Sequence, residues 1–301
     1  IFGVPIPRAP MQHALQGLVD YAGLFPPTAA SMARAVANFA EYRGSAEHEM
    51  LGRFVVGEDR LEELGAVAAE FGLLPADHWP LAVVLGSSPS RSAELLEAFS
   101  EQFAGRGLRV ESAEAKIALA ADAAAFMAAL GNDLEYFFEV PHAADHDALI
   151  GGIARLGAGV KLRTGGVTPE SFPSSAQVIS FLAAAVRHGV RFKATAGLHH
   201  PWRGSHPLTY APDSPRHVMF GFMNLMLAAA LLRAGENQAT ATAALEETAG
   251  GAIVLDSDAI RWRSHEILMD DLIGLRTEGF RSFGSCSFRE PVDELAVGVS
   301  K

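Results

Sequence analysis

Short apolar runs alternate with Ala-, Leu- and Glu-rich stretches of helical period along most of this chain, and that alternation limits its fold more than any other feature. The runs cover residues 18–24, 53–56, 81–85, 114–119, 134–140, 159–162 and 190–193. Between them, residues 61–71, 91–103, 121–130 and 174–188 carry apolar side chains at helical spacing. Strands that alternate with helices form βαβ units and a parallel sheet. Seven such strands in regular order, with residues 280–288 as the last, predict an α/β fold, a (β/α)₈ TIM-type barrel. A dinucleotide-binding open sheet would need a Gly-x-Gly-x-x-Gly turn after the first strand, and none is present.

The regular beat breaks after Gly197. Residues 199–215 are rich in Pro, His and Ser and read as a long loop of the kind that often forms a functional lid. An apolar run at 218–232 follows, then an Ala-rich helix at 238–248 and a hairpin around Asp256 to Asp258. The expected organisation is one barrel domain over 1–301, with residues 198–279 inserted between the seventh and eighth strands. The apolar run is fifteen residues long, short of the roughly 20 that a membrane span needs, and Asn224 interrupts it. It reads as a buried helix, or as a subunit contact if exposed, which points to a homo-oligomer.

With 49% hydrophobic residues in 301, the chain can bury one large core. Its net charge of −11 argues against nucleic acid as partner. Cys286 is the single cysteine, so an internal disulfide and a Cys-based zinc site are excluded. The opening residues 1–7 have no basic segment and no long apolar core, so no signal peptide is expected. They also lack an initiator Met, and the chain reads as trimmed. These features together predict a cytoplasmic protein with no membrane role and no bound cofactor.

Two lysines stand out. Lys161 and Lys193 each close an apolar run, and each precedes a glycine-containing turn: Thr164-Gly165-Gly166 and Ala196-Gly197. A strand, a crossover helix and a parallel strand would place both ammonium groups at the same end of neighbouring strands, the end where ligands bind in parallel α/β folds. Two close cations depress each other's pKa, and a depressed lysine is a nucleophilic amine able to form a Schiff base. The plainer alternative is that each lysine points to solvent.

The order of these motifs resembles deoxyribose-phosphate aldolase and its class I aldolase relatives. Those enzymes carry a Lys-Thr-Ser-Thr-Gly-like strand, a Thr-Pro-Glu-Ser-like helix start and a Phe-Lys-x-Ala-Gly-Gly-like strand. Here Lys161 to Gly165, then Thr168-Pro169-Glu170-Ser171, then Phe192-Lys193 to Ala196-Gly197 follow in the same order. The family's last strand is similar to Ser282-Phe283-Gly284-Ser285-Cys286-Ser287. Its fifth-strand glutamate matches Glu139 and its first-strand aspartate matches Asp20. The resemblance implies that Lys161 forms the imine, Lys193 tunes it, and Glu139 or Asp20 moves protons. Thr164, Gly165, Gly166, Gly197, Gly284 and Ser285 would line an anion site through N–H groups and hydroxyls. The family's fourth-strand aspartate has no counterpart, since the nearest position holds Lys116. Arg163 replaces a small residue, and a guanidinium there favours a phosphate or carboxylate on the substrate. A lyase acting on a small anionic carbonyl compound is the expectation.

Two other readings stay open. His199 and His200, with His142, His146 and Glu139, could hold a divalent ion in a metal-dependent lyase or hydrolase. Adjacent histidines in an extended segment point to opposite faces, so at most one of His199 and His200 would serve as a ligand. One of them could instead act as a general acid or base. The barrel could also bind its anion without catalysis. Cys286 has no basic neighbour in sequence, and a nucleophilic role for it is not expected.

Overall fold

A computed structural model describes residues 9–103 and 105–299. Residues 1–8, where no signal peptide is expected, lie outside them. Eight parallel strands close into a barrel: β1 (Val19–Tyr21), β2 (Leu51–Gly57), β3 (Trp79–Val84), β4 (Leu108–Lys116), β5 (Glu135–Glu139), β6 (Gly159–Arg163), β7 (Phe192–Thr195) and β13 (Phe280–Ser285). Strand β13 pairs with both β7 and β1 and so completes the ring. The expected α/β barrel is therefore the fold.

The helices obey their local sequence. Ser174 caps the helix Ser175–Arg187: its hydroxyl accepts from the Gln177 N–H while the Gln177 amide oxygen accepts from the Ser174 N–H. This reciprocal pair satisfies two of the donors that a helix start leaves free. Outside the barrel wall, Tyr21, Phe39, Phe54 and Trp79 meet edge to face and stacked, which fixes how β1, β2 and β3 sit under the helix Met32–Arg43.

Residues 198–279 depart from the sequence reading in two places. The stretch expected as a long loop contains β8 (Gly204–Pro207), which pairs antiparallel with β9 (Arg216–Met219). The hairpin around Asp256 to Asp258 is present as β10 (Ile253–Leu255) and β11 (Ala259–Trp262), and a third strand, β12 (His265–Leu268), joins it.

The apolar run begins its helix only at Phe222 and continues to Arg233. Its residues from Phe222 to Leu231 are buried by the chain's own helices. It therefore leaves no apolar face to drive self-association, and that ground for a homo-oligomer falls away. Asn224 interrupts the run for a reason. Its amide oxygen accepts from the Arg203 N–H at 2.9 Å and its nitrogen donates to the Ala244 and Glu247 carbonyls, tying the helix to the hairpin and to the helix Gln238–Leu245. Among the described residues no helix is long and apolar enough to cross a membrane.

Candidate functional site

Parallel register puts Glu139 beside Lys161, Lys161 beside Lys193, and Lys193 beside Ser282, across β5, β6, β7 and β13. The side chains of this row point into the barrel beneath its C-terminal mouth. Both lysines are buried, so neither is a solvated strand end.

The ammonium groups do not face each other alone. Glu114, on β4, accepts from both: Lys161 Nζ donates to its Oε2 at 2.9 Å and Lys193 Nζ donates to its Oε1. Lys161 also lies 3.2 Å from Glu139 Oε2, and Lys193 lies 2.5 Å from Asp20 Oδ2. Asp20 is fixed in turn by the Arg53 backbone N–H and the Ser282 hydroxyl, each at 2.7 Å. Arg163 Nε donates to Glu139 Oε1 at 3.2 Å. Three cations thus meet three carboxylates, which makes burial of this much charge tolerable.

The expectation that each lysine depresses the other is overturned for Lys193. Burial pushes its pKa down, but the Asp20 and Glu114 carboxylates outweigh burial and raise it. The counterpart is Glu114. Burial pushes its carboxyl up, yet the two lysine charges bring it down to about 2. Glu139 follows the same logic, with burial opposed by Lys161 and Arg163, and it too is lowered.

Glu114 is the residue that sequence reasoning missed. The fourth strand does supply a carboxylate, two positions before Lys116, on the same face of β4. Lys116 itself is exposed and stands at the rim.

Above the charge network is a cavity of about 430 Å³. Asp20, Glu114, Glu139, Lys161, Arg163, Gly166, Lys193, Gly197, His199 and Gly284 line it, so most of the expected site residues converge. Four do not reach it. Thr164 is fully buried, and its hydroxyl donates to the Thr195 carbonyl at 3.1 Å and the Ala196 carbonyl at 2.5 Å, clamping the ends of β6 and β7. Gly165 packs against Phe172, where a Cβ would come within 2.5 Å of the ring. Ser285 turns its hydroxyl to His199 Nδ1 at 3.3 Å. His200 faces away, with Nδ1 2.9 Å from Glu294 Oε1. Among the expected anion-site glycines, Gly166, Gly197 and Gly284 remain at the cavity wall.

The proposed metal set of Glu139, His142, His199 and His200 is not assembled. His142 Nε2 donates to the Arg163 carbonyl at 2.7 Å. His146 donates from Nε2 to the Pro141 carbonyl at 3.2 Å and accepts from Ser180 at Nδ1, while burial lowers its pKa. Among the described residues, the His and carboxylate groups close enough to share an ion are His200, Glu290 and Glu294, away from Lys161's carboxylates.

A second cavity, of about 360 Å³, opens at the opposite end of the barrel. There Arg276 donates to the Ala14 and Gln16 carbonyls at 2.9 Å, and Arg53 pairs with Glu111 and Glu135. Those guanidinium groups serve the fold.

No protein-family model matches this chain, and no curated protein matches it. Two solved structures are similar to it: the catalytic domain of the hyperthermophilic chitinase from Pyrococcus furiosus, and catalytic-site mutants of active domain 2 of chitinase from the same organism. Each is 13% identical, covers 65% of this chain and 75% of its own, and superposes with a TM-score of 0.34. At that level the likeness carries no functional argument. The barrel rests on its own strand pairing.

Proposed function

We propose that this chain is a Schiff-base-forming lyase of aldolase type, acting on a small carbonyl compound that bears a phosphate or carboxylate. One observation carries the reading: Lys161 lies between two carboxylates, Glu114 and Glu139, at the floor of a cavity large enough for a small metabolite. The resemblance of its flanking motifs to class I aldolases supports it.

Lys161 rests beside its carboxylates and must present a free amine to attack. Glu139 is the group to take its proton. While Arg163 holds Glu139, that carboxylate is a weak base. An anionic substrate that engages Arg163 loosens this hold, so substrate binding itself raises the basicity of Glu139. The amine then adds to the carbonyl carbon, and the former carbonyl oxygen leaves as water. The resulting iminium accepts the electron pair of the breaking C–C bond. Lys193, whose pKa Asp20 and Glu114 raise, stays an ammonium and supplies a fixed positive charge next to the developing negative one.

Borohydride trapping with a panel of small aldehydes, keto acids and sugar phosphates tests this. The expected result is a reduced adduct on Lys161 by peptide mass, absent in Lys161→Ala. Adducts only on exposed lysines would refute it. A second reading, a barrel that binds its anion without turnover, draws on the saturation of both lysines by carboxylates. It predicts a ligand that raises the melting temperature and is recovered unchanged.

A further inference from the structure

Cys286 and His199 stand in the wall of the same cavity and take no part in the chemistry assigned to Lys161. Cys286 follows β13 and His199 follows β7. They lie 87 positions apart in sequence, and the pairing of β7 with β13 makes them neighbours. The sulfur is 3.8 Å from His199 Nδ1 and 3.6 Å from the Tyr210 hydroxyl, which the segment between β8 and β9 delivers. His199 Nδ1 is in addition 3.6 Å from Glu290 Oε2. Cys286 is 4% exposed and His199 9%, so both are shielded from bulk water yet open to the cavity.

A buried thiol in apolar surroundings stays protonated and inert. Cys286 is differently placed. Burial pushes its pKa up, but the polar side chains around it, His199 first, outweigh burial and bring it down. His199 moves the other way. Burial disfavours its charged form, and Cys286 with the Glu290 and Glu294 carboxylates raises its pKa nonetheless. The opposite displacements bring thiol and imidazole closer in proton affinity, and their contact in the cavity wall lets a proton pass between them.

We propose that Cys286 is a second nucleophile of the cavity, one that captures a small aldehyde as a thiohemiacetal while His199 supplies the proton to its oxygen. The sulfur–carbon bond forms as the carbonyl π pair moves onto oxygen, and the thiol proton passes through His199 to that oxygen. Nothing is oxidised or reduced, and the reverse step releases the aldehyde. The ligand class is a small aldehyde carrying an anionic group, because Arg163 and Lys116 line the same cavity. The step uses neither Lys161 nor an imine, and it stands or falls apart from the lyase reading.

The test uses Lys161→Ala protein, in which no imine can form at that position, mixed with glyoxylate labelled at its aldehyde carbon. Carbon NMR should show a sulfur-bonded tetrahedral carbon that disappears in Lys161→Ala/Cys286→Ser. A second measurement needs no lysine variant: alkylation of wild-type Cys286 by iodoacetamide, followed by peptide mass against pH. Cys286 should react below pH 7, and His199→Asn should slow it there by about tenfold, because an ordinary thiol near about 8.5 is only a few per cent ionised at neutral pH. The proposal is overturned if the labelled carbon shows no such bond. It is equally overturned if Cys286 reacts only in the ordinary thiol range, at the same rate in His199→Asn. A failed borohydride trap at Lys161 changes neither readout.

Discussion

Replacing Glu114 by glutamine keeps its shape and removes the charge that both lysines share. In the fold the Glu114 carboxyl is brought from its ordinary 4.5 to about 2, because the two lysine charges overcome burial. At about 1.4 kcal/mol per pKa unit, that gap is worth about 3 kcal/mol at neutral pH. The figure agrees with the roughly 3–5 kcal/mol lost when one partner of a buried ion pair is removed. The folded pKa is the lower one, so the stabilisation is fully present above pH 4.5 and is lost as pH falls toward about 2. Glu114→Gln should therefore melt about 5–10 °C below wild type at pH 7. The difference should narrow steadily as the pH drops below 4.5. Scanning calorimetry of both proteins from pH 7 to pH 3 measures it. Equal melting temperatures at pH 7 would refute the reasoning, and so would a difference that persists unchanged in acid.

Three further outcomes are expected. Gly197 has φ of +73°, and a Cβ there would lie 3.0 Å from Gly165 Cα, so Gly197→Ala should cost about 1–3 kcal/mol by urea unfolding and reduce trapping at Lys161. Thr164→Val leaves the Thr195 and Ala196 carbonyls without the hydroxyl that bridges them; a loss of about 1–3 kcal/mol is expected in the same assay. Arg163→Met removes the guanidinium beside Glu139. The concentration of glyoxylate needed for half-maximal trapping should rise about tenfold, while a neutral aldehyde is trapped at least as readily as before, because Glu139 is freed from Arg163.

The barrel was legible because β5, β6 and β7 are short, apolar and separated by helices with clear periodicity, and the register of Lys161 with Lys193 follows from each lysine standing two residues before the end of its strand. Glu114 was not legible, for a definite reason. Strand β4 begins at Leu108, and its first half, Arg109 to Ser112, is too polar to read as a strand. The apolar signal starts only at 114, which would put Glu114 at the entering end of the strand, far from the site. In the fold it stands near the leaving end, one level below Lys116. The hairpin of β8 and β9 was hidden in the same way, since its strands are four residues long and largely outside the core. The surroundings of Cys286 were not legible from its sequence neighbours, because a closing barrel brings the end of β7 to the end of β13.

The lysine pair held more information than its spacing. Two ammonium groups at one level of a barrel interior each lose several kcal/mol of hydration, and their mutual repulsion adds to that cost. Such a pair persists only if carboxylates arrive from other strands. Asp20 and Glu139 supply two, at the ends of β1 and β5. With Arg163 also present, electroneutrality calls for a third on a strand facing the lysines. That requirement points to β4, where Glu114 and Lys116 share the inward face, and Glu114 is the only carboxylate of the two. The same balance explains why Lys193 is no free amine in waiting. The charge that makes its burial possible also keeps its proton in place.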